Sequence, residues 1–406
     1  MRVLHVIPSL ATRTGGPAVS VVNACRALEA AGVRTTIAAT AMPGPAGAAC
    51  GALTLPAGSD ALDVRLFAAR PPRRLAFSPG LYRMLMRETA AYDLVHIHSL
   101  FLFPQFAAWR AARACGVPYI VSPRGALDPC LRPRGRARKA LVDALWQRAS
   151  LEGAAALHCT SRAEARDIAD VAPRVPRYIV PNAVELDAFE TPGDGRAFRR
   201  RWLPEAPGAP LVLCHGRIAA KKRLDVLVRA LALLRREADV RLVLAGPDDD
   251  GLGPRLRALA AAEGVAGAVV FTGMLDAAGV RDALAAADVW ALPSAGENFG
   301  NAVAEALAAG RAVVATPQVE VAADAAADGA AVIAEPATSA LAAAISALLA
   351  DRGRRERLGE AARAFVRRYA PGRVAAAMRA MYGDIVSAAQ PVTSHQSSDV
   401  QWVGRR

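Results

Sequence analysis

What most restricts the fold of this chain is an alternation that runs through it and then begins again. Short apolar runs, "VLHVI", "VRTTIAAT", "DLVHIHS", "PYIVS", "ALHCTS" and "RYIVPN", are separated by helix-length material. The stretch after the first run, "PAVSVVNACRALEAAG", carries Pro17 where a helix starts and Gly32 where it stops. Alternation of this kind predicts a parallel sheet covered by helices on both faces. After a Pro/Gly-rich, charged stretch at 191–210 the series restarts with "LVLCHG", "KRLDVLVRALALLRRE", "VRLVLAG", "VVFTG", "DVWALPS", "NAVAEALAAG" and "AVVAT". Two such series predict two doubly wound α/β domains joined near residues 183–210. A last helical stretch at 354–388 contains Pro371 and Gly372, which should break or redirect it. The polar tail from residue 390 onward predicts disorder.

Composition narrows the partners. With 406 residues the chain exceeds one ordinary core, and at 53% hydrophobic it has ample material to fill two. Only 5% is aromatic, so Ala, Val and Leu must do most of the packing. The balance of 50 Lys+Arg against 37 Asp+Glu, net +13, implies an anionic partner: nucleic acid, an acidic membrane face or a phosphorylated small molecule. The six cysteines (Cys25, Cys50, Cys115, Cys130, Cys159 and Cys214) form no C-x-x-C pair, which points to a reducing compartment and away from zinc. "MRVLHVIPSL" is interrupted by Pro8 too early for a signal peptide, and no apolar run reaches the ~18 residues of a membrane span. The expectation is a cytoplasmic protein with room for peripheral contact at the inner face of a membrane.

Ligands of open α/β sheets bind at the carboxyl ends of the strands, and several loops there carry unusual residues. After the first strand, Gly15 and Gly16 precede a helix, so free backbone N–H groups and the helix dipole face the loop. They read equally as a phosphate cradle or a plain turn. No strand is followed by G-x-G-x-x-G, which argues against a nicotinamide dehydrogenase. Arg217 and Lys222 lie between "LVLCHG" and the next helix, either converging on one anion or forming a solvated basic loop. His96 and His98 alternate on one side of "DLVHIHS", one near the strand end and the other a candidate core histidine. As a metal pair they lack any nearby carboxylate or cysteine cluster, so no metal is expected.

The segment "PRGALDPCLRPRGRARKALVDALWQR" holds seven Lys/Arg (Arg124, Arg132, Arg134, Arg136, Arg138, Lys139 and Arg148) against Asp128 and Asp143. Leu131, Leu141, Leu145 and Trp146 are interleaved. It reads as a solvated helix face, an anionic membrane contact or a site for a phosphorylated acceptor. Nucleic acid would call for stacking aromatics or a reading module, and neither is visible.

Glu297 and Glu305 frame "ENFGNAVAE". On one regular helix, eight residues would set them about 12 Å apart along the axis and about 80° around it. Acid/base pairs of glycosidases face one bond at ~5–9.5 Å, so a hydrolytic pair is disfavoured. Two handles on a long ligand fit better, with the N–H groups of the loop and helix start beside Glu297.

These residues resemble a known family, the retaining GT-B glycosyltransferases of family 4, over roughly residues 1–385. "ENFGNAVAE" is similar to the family's E-x7-E signature, and "GRIAAKKRLDVLVRA" to its G-R-…-K-…-D element. "YIVPNAVE" resembles its interdomain P-N-G-V-D, and "TGGPA" its N-terminal Gly-Gly loop. "VSPRGALDP" and "LHCTS" look like members that build bacterial surface polysaccharides.

The resemblance implies two Rossmann-like domains facing a central cleft. Residues 1–185 would form the acceptor side and 186–370 the nucleotide-sugar side, with 371–388 a helix crossing back and 389–406 a disordered tail. It implies a hexosyltransferase-type enzyme acting on a nucleoside-diphosphate sugar and a glycan or lipid-linked acceptor, with no cofactor and no metal.

By the same resemblance Glu305 binds the ribose. Glu297 and the backbone of Phe299, Gly300 and Asn301 hold the sugar. Arg217 and Lys222 neutralise the departing diphosphate, and His98 approaches the transferring sugar. Met274 and Leu275 lie beside the base, while Gly15, Gly16 and Arg124 contact substrate. Ala183 and Arg223 stand where the family has Gly, Arg162 where an acidic residue is common, and "QVEVAADAAADGAAV" is degenerate. A sugar-nucleotide epimerase would want further cleft carboxylates and lacks this E-x7-E element. A non-catalytic binder of nucleic acid or membrane leaves the convergent loops unexplained.

Overall fold

The structure of the chain, a computed structural model, describes residues 1–12, 15–41, 54–128, 136–248 and 251–389. Its first sheet has seven strands: β1 (Arg2–Ile7), β2 (Arg34–Ala41), β3 (Asp63–Ala68), β4 (Leu94–His98), β5 (Tyr119–Ser122), β6 (Ala156–Cys159) and β7 (Arg177–Ile179). The second has six: β8 (Leu211–His215), β9 (Arg241–Ala245), β10 (Val269–Gly273), β11 (Val289–Leu292), β12 (Ala312–Ala315) and β13 (Val332–Ile333). Their orders are β3-β2-β1-β4-β5-β6-β7 and β10-β9-β8-β11-β12-β13. All registered pairs are parallel, and helices join the strands. The strand order reverses at β1/β4 and at β8/β11. There successive crossovers leave the sheet on opposite sides and open a crevice beyond the carboxyl ends.

Every apolar run singled out in the sequence is a strand. Two strands escape pattern reading. β3, "DVRLFA", is an edge strand whose Asp63 and Arg65 pair with each other at 3.0 Å, which hides the alternation. β13 is only two residues long.

The 354–388 stretch is two helices, Arg352–Val366 and Pro371–Ala389, with Pro371 opening the second, where a missing N–H costs nothing. The first packs on the second domain. The other returns to the first domain, where Val374, Met378, Met381, Tyr382 and Ile385 bury against Val3, Leu28, Leu94 and Ile120. Trp290 and Tyr382 are the bulkiest fully buried side chains, and Ala, Val and Leu fill most of the rest. Among the described residues no helix is long and apolar enough to cross a membrane. The tail from 390 lies outside the described residues, as do Leu131, Arg132 and Arg134 of the basic segment.

Candidate active site

Both switch points face one cleft, and the candidate residues arrive there on the loops after β1, β4, β5, β8 and β11. On the second domain, β8 ends at His215 and the chain turns at Gly216, whose φ is 111°. A Cβ on Gly216 would lie 2.9 Å from Lys222 Nζ, so the buried ammonium rests directly over the strand end. Lys222 Nζ stands 3.9 Å from Glu297 Oε1, and Lys221 Nζ 3.8 Å from Glu297 Oε2. Glu297 belongs to the loop after β11, where Ser294 Oγ is 3.1 Å from its Oε1. Gly300, with φ 87°, caps the helix Asn301–Ala308, so this loop lies at a helix N-terminus. The Phe299 ring is committed to the core, edge-on to Tyr369 at 5.1 Å, which leaves its backbone to the loop.

Glu305, in the middle of that helix, accepts a hydrogen bond at Oε2 from His215 Nε2 at 2.8 Å. Trp290 Nε1–H donates to the other ring nitrogen, Nδ1, at 2.8 Å.

On the first domain, Arg124 sits beyond β5 in left-handed backbone, with φ 56°; Ser99 and Phe101, beyond β4, share that conformation at 68° and 66°. Three such residues at two strand ends mark a place where local strain is held by surrounding contacts. The Arg124 guanidinium donates to Ser20 Oγ at 3.0 Å, Asn182 Oδ1 at 2.8 Å and His98 Nδ1 at 3.3 Å. Burial lowers its pKa from the usual arginine range, opposed by the Glu164 carboxylate.

His98 is enclosed, and its hydrogen bonds fix its tautomer. Because Nδ1 accepts from Arg124, the proton sits on Nε2, which donates to His5 Nδ1 at 3.0 Å. A second chain lies beside it. His158 Nε2 must donate to the Val180 carbonyl (2.9 Å), so His158 Nδ1 accepts from His96 Nε2 (3.3 Å) and His96 Nδ1 from the Tyr382 hydroxyl (2.8 Å). All four rings are therefore neutral, and burial is the first cause lowering each pKa, to about 3 for His5 and His158. His5, His96 and His98 have ring nitrogens within 4.8 Å of one another, a spacing that invites comparison with a metal cluster. The donor set speaks against it: His98 Nε2 carries a proton toward His5, and a guanidinium stands 3.3 Å from the same ring.

The domains meet across the cleft through these same loops. A Cβ on Gly15 (φ 80°) would lie 2.7 Å from Arg217 Nη2, and one on Gly16 2.8 Å from Asn301 Nδ2, so glycine allows the approach. Asn182 Nδ2 donates to Asn301 Oδ1 at 2.9 Å. The Asn298 carboxamide is best satisfied with its oxygen on Thr160 Oγ1 (2.7 Å) and its nitrogen donating to Glu164 (3.0 Å). Arg162 grips Glu320 and Asp324 of the second domain at 3.1 and 2.6 Å.

The fold thus brings together Gly15, Gly16, Arg124, Arg217, Lys222, Glu297, Gly300, Asn301 and Glu305. His98 comes near, but both its ring nitrogens are engaged within the first domain. Met274 and Leu275 follow directly on β10. They line a depression of about 420 Å³ with Phe198, Arg201, Trp202 and Gly279, in which none of the other candidates takes part. Pattern reading missed His215, Trp290, Glu164 and Asn182. Only His215 carried a local signal, a histidine closing the strand just before the Gly-Arg element.

Comparisons with known proteins bear on the family and the fold. Residues 15–183 match the model described as glycosyl transferase 4-like domain, and residues 196–365 that of glycosyl transferases group 1. A D-inositol 3-phosphate glycosyltransferase of Xylanimonas cellulosilytica is 34% identical over 337 residues, 77% of each chain. One from Catenulispora acidiphila is 33% identical over 259 residues, 60% of each. Among solved structures, sucrose-phosphate synthase of Thermosynechococcus elongatus superposes with a TM-score of 0.75 at 21% identity, covering 95% of this chain and 99% of that one. Anabaena Alr3699/HepE, solved with UDP and glucose, superposes with 0.76 at 18%, covering 95% and 100%. Two parallel-sheet domains in this arrangement, with matching family models on each, make the chain a member of the GT-B glycosyltransferases, family 4-like.

Proposed function

We propose that the chain is a retaining, hexosyltransferase-type enzyme that moves a sugar from a nucleoside diphosphate to a glycan or lipid-linked acceptor in cell-envelope polysaccharide synthesis. The observation that carries the donor side is the pair of carboxylates on either side of one helix N-terminus. Glu297 lies in the loop with Lys222 3.9 Å away, and Glu305 lies in the helix with one oxygen held by His215. Glu305 takes the ribose, Glu297 and the N–H groups of Phe299, Gly300 and Asn301 take the sugar, and the diphosphate lies between them. The structure solved with UDP and glucose has the same fold and supports a nucleotide-sugar donor.

Breaking the anomeric C–O bond develops positive charge on the sugar and negative charge on the diphosphate. Arg217, Lys222 and the N–H groups at Gly16 stabilise the latter as fixed charges and dipoles, so no metal is required. Retention follows from attack on the face that the diphosphate leaves, its oxygen taking the acceptor proton. Arg124 faces the acceptor as a cation without a carboxylate in hydrogen-bond contact among the described residues, which suits a phosphorylated acceptor. His98 acts through Arg124 by fixing its position. Peripheral contact with an anionic membrane at the cytoplasmic face is supported by Leu141 and Leu145, 60% and 70% exposed beside the exposed Arg138 and Arg148.

Screening nucleotide sugars for thermal stabilisation identifies the donor. With that donor, Glu305→Ala should raise its KM, whereas Lys222→Ala should mainly lower kcat, by about 100-fold. Wild-type kinetics in both variants would overturn the site. Charge reversal at Arg138 and Arg148 should reduce sedimentation with anionic liposomes; unchanged sedimentation would leave that segment a solvated face.

A further inference from the structure

Glu305 is oriented by a histidine whose protonation state is set from the core. Register places Trp290 of β11 opposite Leu213 of β8, two residues before His215, so the indole reaches the side of the imidazole. The rings meet edge to face with centroids 5.7 Å apart. Indole N–H is only a donor, so Trp290 Nε1 at 2.8 Å obliges His215 Nδ1 to accept. A ring that accepts at Nδ1 is neutral and carries its proton on Nε2. That proton points at Glu305 Oε2, 2.8 Å away. Trp290 is fully buried and cannot swing aside, and the His215 side chain is 5% exposed against 34% for Glu305.

We infer that Trp290 and His215 form a positioning relay that turns the Glu305 carboxylate and sets the enzyme's preference for a ribonucleotide over a deoxyribonucleotide donor. One carboxylate oxygen is tied to the core, and the other is presented outward at a fixed angle. A free glutamate would have to give up side-chain rotamer freedom on binding, and the relay removes most of that cost in advance. A neutral donor also leaves the carboxylate its full charge, which a lysine or arginine in the same place would offset. The inference rests on the proposed contact between Glu305 and the ribose.

The test uses the full-length protein and the nucleoside 5′-diphosphates UDP, ADP and GDP with their 2′-deoxy and 3′-deoxy counterparts. Their affinities are compared in wild type, His215→Phe and His215→Gln. A glutamine amide can donate from nearly the position of Nε2, whereas phenylalanine keeps the volume without the donor. Wild type should prefer the ribonucleotide by about tenfold or more; His215→Phe should lose most of that preference, and His215→Gln should regain it. With the transferred donor, His215→Phe should raise KM about tenfold and leave kcat within about twofold.

A wild type that does not distinguish ribose from deoxyribose would overturn the ribose contact itself. A wild type that discriminates, with a folded His215→Phe that discriminates equally, would overturn the relay alone. Nitrogen-15 NMR of wild type, assigned against His215→Gln, reads the ring directly: the proton should be on Nε2, and a proton on Nδ1 or a charged ring would refute the relay without reference to either variant's fold.

Discussion

The contact of Arg162 with Glu320 and Asp324 combines two sequence departures, one in each domain, into a latch across the cleft, and its two halves should respond differently to mutation. The Glu320 carboxylate accepts the backbone N–H groups of Arg162 at 3.0 Å and Ala163 at 2.6 Å, so it caps a helix of the other domain. Glu320 is 15% exposed, and a carboxylate serving two free N–H groups at a helix start is worth about 1–2 kcal/mol. The Arg162 guanidinium meets both oxygens of Asp324, at 2.6 and 2.8 Å. It is 56% exposed, however, so that half is discounted to about 0.5 kcal/mol.

Glu320→Ala should therefore shift the closed–open balance of the free enzyme about 5- to 30-fold toward open, and Arg162→Ala about twofold. Fluorescence transfer between dyes on the two domains, with small-angle scattering, reads the balance. In 1 M salt the Arg162→Ala effect should vanish, since the screening length falls to about 3 Å, while the Glu320→Ala effect should persist. The exchange of Arg162 and Asp324 should largely restore closure, but that of Arg162 and Glu320 should not, because arginine cannot accept a backbone N–H. Equal effects of both alanine variants, or a Glu320→Ala protein as closed as wild type, would refute the cap.

Two further predictions concern stability. The four neutral histidines of the first domain hold fewer protons folded than unfolded below about pH 6.5, so their contribution is full above that value. It is lost as pH falls toward the folded values, near 3 for His5 and His158, at about 1.4 kcal/mol per pH unit for each ring. The urea midpoint should accordingly drop steeply between pH 6.5 and 5, and a flat midpoint would contradict the assigned tautomers. Arg223 has a left-handed backbone, with φ 51°, at the position where a glycine is expected. Arg223→Gly should cost nothing or stabilise by up to about 0.5 kcal/mol in thermal unfolding, whereas Arg229→Gly inside the helix Leu224–Leu234 should lose about 1 kcal/mol.

The fold was legible because parallel strands buried on both faces leave continuous apolar runs, and "VLHVI" or "LVLCHG" can be little else. The edge strand β3 escaped because an edge exposes both faces and carries paired charges. The loops at the strand ends were legible for a related reason: a Gly, Arg, Lys or Glu there stands out against an Ala-rich background. Contacts that depend on distant chain segments meeting were not legible. Arg162 and Glu320 are 158 residues apart, and His96 and Tyr382 are 286 apart, with no local pattern announcing either pair. His98 shows the limit from the other side. Its place at the end of β4 is readable from alternation, but its commitment to His5 and Arg124 depends on a ring from β1 and a guanidinium from the loop after β5.

The two domains solve one electrostatic problem in the same way. On the proposed function, each must hold a charge at the mouth of a dry sheet, fixed in direction yet available to a ligand. Arg124 is held by a neutral imidazole, a hydroxyl and a carboxamide, and Glu305 by a neutral imidazole. A carboxylate about 4 Å from Arg124 would offset roughly 4 kcal/mol of the attraction felt by an incoming anion, at an effective dielectric of about 20. Neutral dipoles orient without that loss, provided they stay neutral, and histidine is the partner most prone to charge near physiological pH. That accounts for the depth of the polar core beneath the site. Each imidazole that touches a site charge has its second nitrogen occupied and its tautomer fixed by an obligate donor: Arg124 donates to His98, whose other nitrogen donates to His5, and Trp290 donates to His215. The buried histidines whose spacing resembles a metal centre are joined to one another, and to Tyr382, by hydrogen bonds.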